Sequence, residues 1–201
     1  MSELLKHGRL FFKQKVKLIE MTQEFKIWDD SGAVVGTIRQ EGQSTLKKAA
    51  RLVSSLDQFM THTLAVYDSE GTKVCELTRP RKVFKSRLTV TDGTGRDAGT
   101  ITQANVFGKI RFDLHGGSGE PLGQIRAENW RAWNFSIVDS GATEIARITK
   151  TWEGLATTLF TPADSYALDI DSDVSGDLRL LVLASAAGVD VALKQDSRGF
   201  N

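Results

Sequence analysis

From Ser86 to Ile148 apolar and polar residues alternate in short runs, and clusters of Gly, Asp and Ser break the runs at regular intervals. "SRLTVTD", "AGTITQ", "KIRFDL" and "LGQIRA" each place apolar side chains at every second position, the period of a strand with one buried face. The breaks form a repeat. "DDSGAVVGTI", "DSEGTKVCEL", "DGTGRDAGTI", "GGSGEPLGQI" and "DSGATEIARI" each open on Asp or Gly and end nine residues later on Ile or Leu. The openers are Asp29, Asp68, Asp92, Gly116 and Asp139, spaced 39, 24, 24 and 23 residues apart. An alternating run, a turn cluster with positive-φ positions and a second alternating run make a β-hairpin. Five hairpins give ten strands, and Leu10–Phe12 and Ser165–Ile170 supply an eleventh and a twelfth. The long first spacing contains "STLKKAARLVSSLDQF", Ser44 to Phe59, whose periodicity predicts a short helix between hairpins. A dozen short antiparallel strands must hide their edges by closing into a barrel or stacking as a sandwich. No linker divides the chain, so residues 1–201 read as one domain.

The pattern changes near the C-terminus. "LRLLVLASAAGVDVALKQ", Leu178 to Gln195, is apolar on every face of a helix. Such a helix either crosses a membrane or runs through the centre of a protein. Crossing takes ~20 apolar residues. The uncharged run here is only Leu180 to Val189, and Asp190 would cost roughly 3 kcal/mol in the hydrocarbon. Ala184, Ser185, Ala186, Ala187 and Gly188 make the middle slim, which suits a helix threaded through a crowded barrel. The expectation is a buried core helix at about 177–195, with Asp177 or a neighbour capping its start.

Composition changes this picture little: 40% hydrophobic and 25% charged residues and three prolines in 201 residues are ordinary for a soluble domain. One cysteine, Cys75, excludes an internal disulfide framework and a multi-cysteine zinc site. "MSELLKHGRLFF" lacks a secretory apolar segment, so a cytoplasmic protein is expected, peripheral at the membrane if it meets one. The net charge of +1 conceals an imbalance: residues 1–111 hold 19 bases and 12 acids, residues 112–201 hold 7 and 13. A fold that segregates these halves acquires a positive and a negative face.

"ITKTWEG", Ile148 to Gly154, then "LFTPADSYALDI", Leu159 to Ile170, then an apolar C-terminal helix, resembles the C-terminal part of phospholipid scramblases. The looser match extends over the hairpins, from about Arg9 to Gln195, and the chain is also similar to LURP-one-related proteins and the Tubby C-terminal domain. The resemblance implies a mainly β fold: a closed antiparallel twelve-stranded β-barrel wrapped around a central hydrophobic C-terminal α-helix. It implies a non-enzymatic phospholipid- or membrane-surface-binding protein linked to transbilayer lipid movement. A protein-interaction or nucleic-acid-associated module on the same barrel is the alternative. A container for an apolar small molecule is disfavoured, because the helix fills the lumen.

Two basic stretches are candidate headgroup sites for anionic phospholipid. "RPRKVFKSR" holds Arg79, Arg81, Lys82, Lys85 and Arg87, of which Arg81, Lys85 and Arg87 share one face if the stretch is a strand. In "FFKQKVK", Lys13, Lys15 and Lys17 share a face. Lysines on strand exteriors also blunt sheet edges, but five bases in nine residues exceed that need. The resemblance also implies a calcium site before the helix. Its first acidic ligand falls on Pro162; Asp164 matches the next acidic position, and Asp169, Asp171 and Asp173 offer further oxygens. Calcium wants six to eight oxygen ligands, and no EF-hand register fits. The plainer reading is a solvated acidic loop, with no cofactor.

Enzyme readings fail on spacing. "GTGRDAG" resembles a nucleotide-binding glycine loop, but the same glycine spacing recurs 24 residues on inside the hairpin repeat and no helix follows. "HGGSG" has no Gly-x-Ser-x-Gly elbow to accompany it. His7, His62 and His115 are scattered. Of the four tryptophans, Trp28, Trp130, Trp133 and Trp152, the last belongs to the scramblase-like motif, and Trp130 and Trp133 are expected to pack in the barrel.

Overall fold

The alternating runs form strands in the computed structural model, which describes residues 2–14, 24–41, 62–80, 87–105, 108–128, 134–150 and 165–196. A 3-10 turn, Glu3–Lys6, precedes twelve strands: β1 (Arg9–Gln14), β2 (Glu24–Trp28), β3 (Val34–Glu41), β4 (His62–Asp68), β5 (Lys73–Arg79), β6 (Arg87–Asp92), β7 (Asp97–Gln103), β8 (Arg111–Gly116), β9 (Pro121–Ala127), β10 (Phe135–Asp139), β11 (Glu144–Lys150) and β12 (Ser165–Ile170). Each pairs antiparallel with its neighbours in sequence, and β1 pairs with β12 to close the barrel. A single helix among the described residues, α1 (Gly176–Asp196), follows. The barrel reading, not the sandwich, is the one realised. The helix expected at Ser44–Phe59 lies outside the described residues.

The five repeat segments fix the register. In each, the opener's N–H donates to the carbonyl four residues on, and the N–H three residues on donates back to the opener's carbonyl, at 2.9–3.2 Å. This is a type I turn followed by a left-handed residue. That residue is Gly32, Gly71, Gly95 or Gly119 in four hairpins, with φ between 79° and 92°, and Ala142 with φ 65° in the fifth. Where the opener is Asp, its carboxylate also accepts the N–H four residues on: Ala33, Thr72, Arg96 and Thr143, at 2.8–3.0 Å. The register of every such hairpin shifts by one residue next to its turn. The extra twist of a bulge suits a strongly coiled wall.

With the register fixed, the apolar closers fall into one layer of the barrel interior. Ile38, Leu77, Ile101, Ile125 and Ile148 lie opposite Phe25, Leu64, Leu88, Phe112 and Phe135, and all ten are buried. One layer nearer the turns, Ile27, Val66, Val90, Leu114 and Ile137 lie opposite Gly36, Cys75, Gly99, Gly123 and Ala146. The small partner is a steric requirement: a Cβ on Gly123 would sit 2.2 Å from the Val138 carbonyl oxygen.

Helix α1 enters from the turn end and packs against β5, β6, β7, β8, β12 and the N-terminal turn. Leu180 to Ala187 are buried all round, as a helix in a barrel's centre requires. The one hydroxyl in that run, Ser185, donates to the Leu181 carbonyl at 2.6 Å, so no polar group is stranded there. Gly188 packs close under the wall: a Cβ there would lie 2.7 Å from Leu88 Cδ1, and the leucine would have to shift to admit it. Among the described residues no helix is long and apolar enough to cross a membrane. Asp177 stands inside the first turn, which leaves the cap itself to a neighbour, and its carboxylate pairs with Arg96 of the β6–β7 turn at 2.6 and 2.9 Å.

The turn rule makes a signed prediction. Left-handed backbone costs a non-glycine residue about 1–2 kcal/mol, so Ala142→Gly should raise stability by about 1 kcal/mol. Gly123→Ala should lower it by about 1–3 kcal/mol through the clash with Val138. Urea unfolding checks both, as a shift in midpoint at constant slope.

Candidate functional site

Strand direction sorts every connection to one of two ends. The five hairpin turns, the β12–α1 loop and the N-terminal turn lie at one end; the six connections after β1, β3, β5, β7, β9 and β11 leave the other. Positive-φ turns favour Gly, Asp and Ser, and the charge follows. Residues 2–9, 29–33, 68–73, 92–97, 116–121, 139–144 and 169–179 hold 14 of the chain's 25 acids and 5 of its 26 bases, which leaves 11 acids and 21 bases elsewhere. The two sequence halves form adjoining arcs of the wall; among the described residues outside the turn end there are 7 acids and 11 bases, so the described charge is also sorted along the barrel axis.

Only part of the expected headgroup set falls within the described residues: Lys15, Lys17, Arg81, Lys82 and Lys85 lie outside them. Arg87, at the start of β6 at the long-connection end, is exposed while Leu88 points inward. Arg79 needs correction. It is in phase with Leu77 on β5 and only 3% exposed, so it faces the interior and not a headgroup. Lys13 stands opposite Lys26 across β1 and β2, and Arg111 stands opposite Arg126 across β8 and β9. Like charges directly opposite one another oppose pairing, and both pairs belong to the long-connection half of the wall. Lys109 is exposed beside Arg111 and donates to the Glu128 carbonyl at 2.7 Å.

Of the acids expected before the helix, Asp164 lies outside the described residues. Asp169 is in β12, and Arg9 donates to its carboxylate. The carboxylate of Asp171 accepts the Asp173 N–H at 3.3 Å, and both acids are exposed. Among the described residues no three His, Cys, Asp or Glu side chains come together as a metal cluster. These acids organise the turn end through hydrogen bonds. Asp92 is the clearest case. Its carboxyl is held down to about 2, first by the Thr94 hydroxyl, then by the N–H groups of Thr94 and Arg96 and the Arg96 guanidinium, against the desolvation that acts in the opposite direction. Arg96 thereby joins the β6–β7 turn to Asp177 at the helix start.

Cys75 is fully buried in the small-residue layer, and desolvation pushes its thiol up to about 12, so it offers no thiolate nucleophile at neutral pH. On the outer wall Lys73 bridges Glu41 and Glu76 at 3.0 and 2.8 Å, and the Tyr67 hydroxyl donates to Glu41. This outward-facing network pins three strands. Trp28 ends β2 half-buried; Trp130, Trp133 and Trp152 are outside the described residues. Sequence reasoning missed the axial separation of charge, though the repeat carried the signal: all five openers must lie at one end. It also missed Arg179, a base in the first turn of an apolar helix, where the helix dipole disfavours a cation.

A closed twelve-stranded antiparallel barrel around an apolar helix, with acids gathered at its turn end, defines the class of protein. The Scramblase family model matches residues 3–193. The chain belongs to the Scramblase family, and the Tubby-like architecture expected of it is the one observed. Comparison with curated proteins and comparison with solved structures each found no match.

Two outcomes follow from the site's titration and burial. Asp92 titrates lower when folded than when unfolded, so its contribution to stability is complete above about pH 4 and is lost as pH falls from about 4 to 2. Melting temperature measured against pH should fall over that window, and less so in Asp92→Asn. Cys75 should resist a thiol-reactive chromogenic disulfide in the folded protein and react fully once urea unfolds it.

Proposed function

We propose that the protein binds anionic phospholipid surfaces peripherally, with its long-connection end toward the membrane. The observation that carries this reading is the axial sorting of charge among the described residues, 14 acids and 5 bases at the turn end against 7 and 11 elsewhere. Membership of the Scramblase family supports a membrane lipid as the partner. Each Lys or Arg near an anionic leaflet contributes ~1 kcal/mol, so several such residues give useful affinity without insertion. The acidic turn end is repelled by the same surface, which orients the barrel. The like-charge pair Arg111/Arg126 becomes favourable once a phosphate lies beside it. Passage of lipid between leaflets is the further step the family name suggests, and it rests on this binding.

Liposome co-sedimentation tests the proposal. Binding should require anionic lipid and weaken strongly between low and high salt. Charge reversal at Arg81, Lys85 and Arg87 should abolish it; Arg79 is left unchanged because it faces the interior. Binding that survives this triple reversal and high salt would refute the surface assignment. Calcium dependence would return the acidic segment from Asp164 to Asp173 as a ligand set. A labelled-lipid accessibility assay on the same vesicles reads transbilayer movement separately.

A further inference from the structure

The start of the central helix is bound to the N-terminal turn at the opposite end of the sequence. Arg179 is 4% exposed. Its guanidinium donates to main-chain carbonyls: Asp171 at 3.1 Å and Val174 at 2.9 Å in the β12–α1 loop, His7 at 2.8 Å, and Leu5. Burial disfavours its charge, and so does its place in the first helical turn. These four acceptors are what make the cation tolerable there. Two of them belong to residues 2–7.

That segment is fastened at two further points. Leu4 is 1% exposed and lies over Gly36, where its Cδ2 would be 3.2 Å from an added Cβ. The Ser2 hydroxyl accepts the Leu4 N–H at 3.3 Å and donates to Asp68 in the β4–β5 turn at 2.9 Å. None of the twelve strand pairings uses residues 2–7, while the Gly8 carbonyl accepts the Ile170 N–H at 2.7 Å and continues the β1–β12 ladder. The wall is therefore complete without the segment, whereas Arg179 is not.

We infer that residues 2–7 are a strap that keeps the central helix seated: undocking them frees the helix's first turns while the barrel wall stays closed. When the strap leaves, Arg179 retains only the Asp171 and Val174 carbonyls, and a buried cation with half its acceptors draws water into the helix start. The N-terminal segment thus controls whether the apolar helix is held or released. This reading does not depend on which surface the barrel binds.

Hydrogen–deuterium exchange on the full chain tests it. Leu4→Asp removes the apolar anchor and leaves Arg179 in place. Exchange in residues 179–184 should rise by about tenfold or more, the scale of two lost charge-assisted hydrogen bonds, while β6 to β9 keep their protection. A variant whose strap exchanges freely but whose helix is unchanged would overturn the inference. If Leu4→Asp does not fold, native-state exchange of the unaltered chain in low urea decides the matter. Residues 4–7 and 179–184 should then share one opening that precedes that of the wall. A helix that opens only together with β6 to β9 would overturn it.

Discussion

The lumen of a closed twelve-stranded barrel must be filled, and the strands alone do not fill it. About eight strands is the size at which inward side chains suffice, and diameter grows with strand number. The interior follows from admitting a helix roughly 10 Å across. The helix is apolar on all faces because it has no outside. It is slim at Ala184, Ala186, Ala187 and Gly188 because the wall comes close, with Leu88 against Gly188. The wall answers with a layer of small residues, Gly36, Cys75, Gly99, Gly123 and Ala146, each opposite a larger aliphatic. Arg179 then closes the entry using main-chain oxygens, the acceptors available where the helix leaves the last loop.

The electrostatics grow from the same frame. Five tight turns of one geometry require a left-handed residue and reward a side-chain acceptor at the opener, and Gly and Asp meet these needs. Repeating that solution five times at one end concentrates carboxylates there. The near-neutral net charge then obliges the remainder of the chain to be basic. A field along the barrel axis arises from turn chemistry before any ligand is considered, and such fields steer association over distances longer than a contact.

Much of this was legible in the sequence because the repeat encodes register. An opener and a closer nine residues apart fix the turn, the buried layer and the strand count together, and the helix declares itself by being apolar on every face. The residues that were misplaced depend on what happens at strand ends. Arg79 sits in a run of bases that reads as one exposed strand, yet β5 carries its alternation two residues past Leu77 and turns Arg79 inward. Arg179 was beyond local reading because two of its acceptors, Leu5 and His7, lie more than 170 residues away. The loop acids were legible as acids but not as hydrogen-bonding members of turns and ion pairs, since the Arg9 and Arg96 partners come from other hairpins.

The two ends also differ in how much change they tolerate. At the turn end each connection is a five-residue unit whose main-chain hydrogen bonds and left-handed position set the register of the strands on both sides. An inserted residue there would slip a whole strand and turn its apolar face outward. The other end joins strands by longer segments, up to the twenty residues between Glu41 and His62. Lengthening a loop costs little free energy there. One pole of the barrel can therefore absorb new lengths of chain, while the opposite pole is held fixed by the arithmetic of its hairpins.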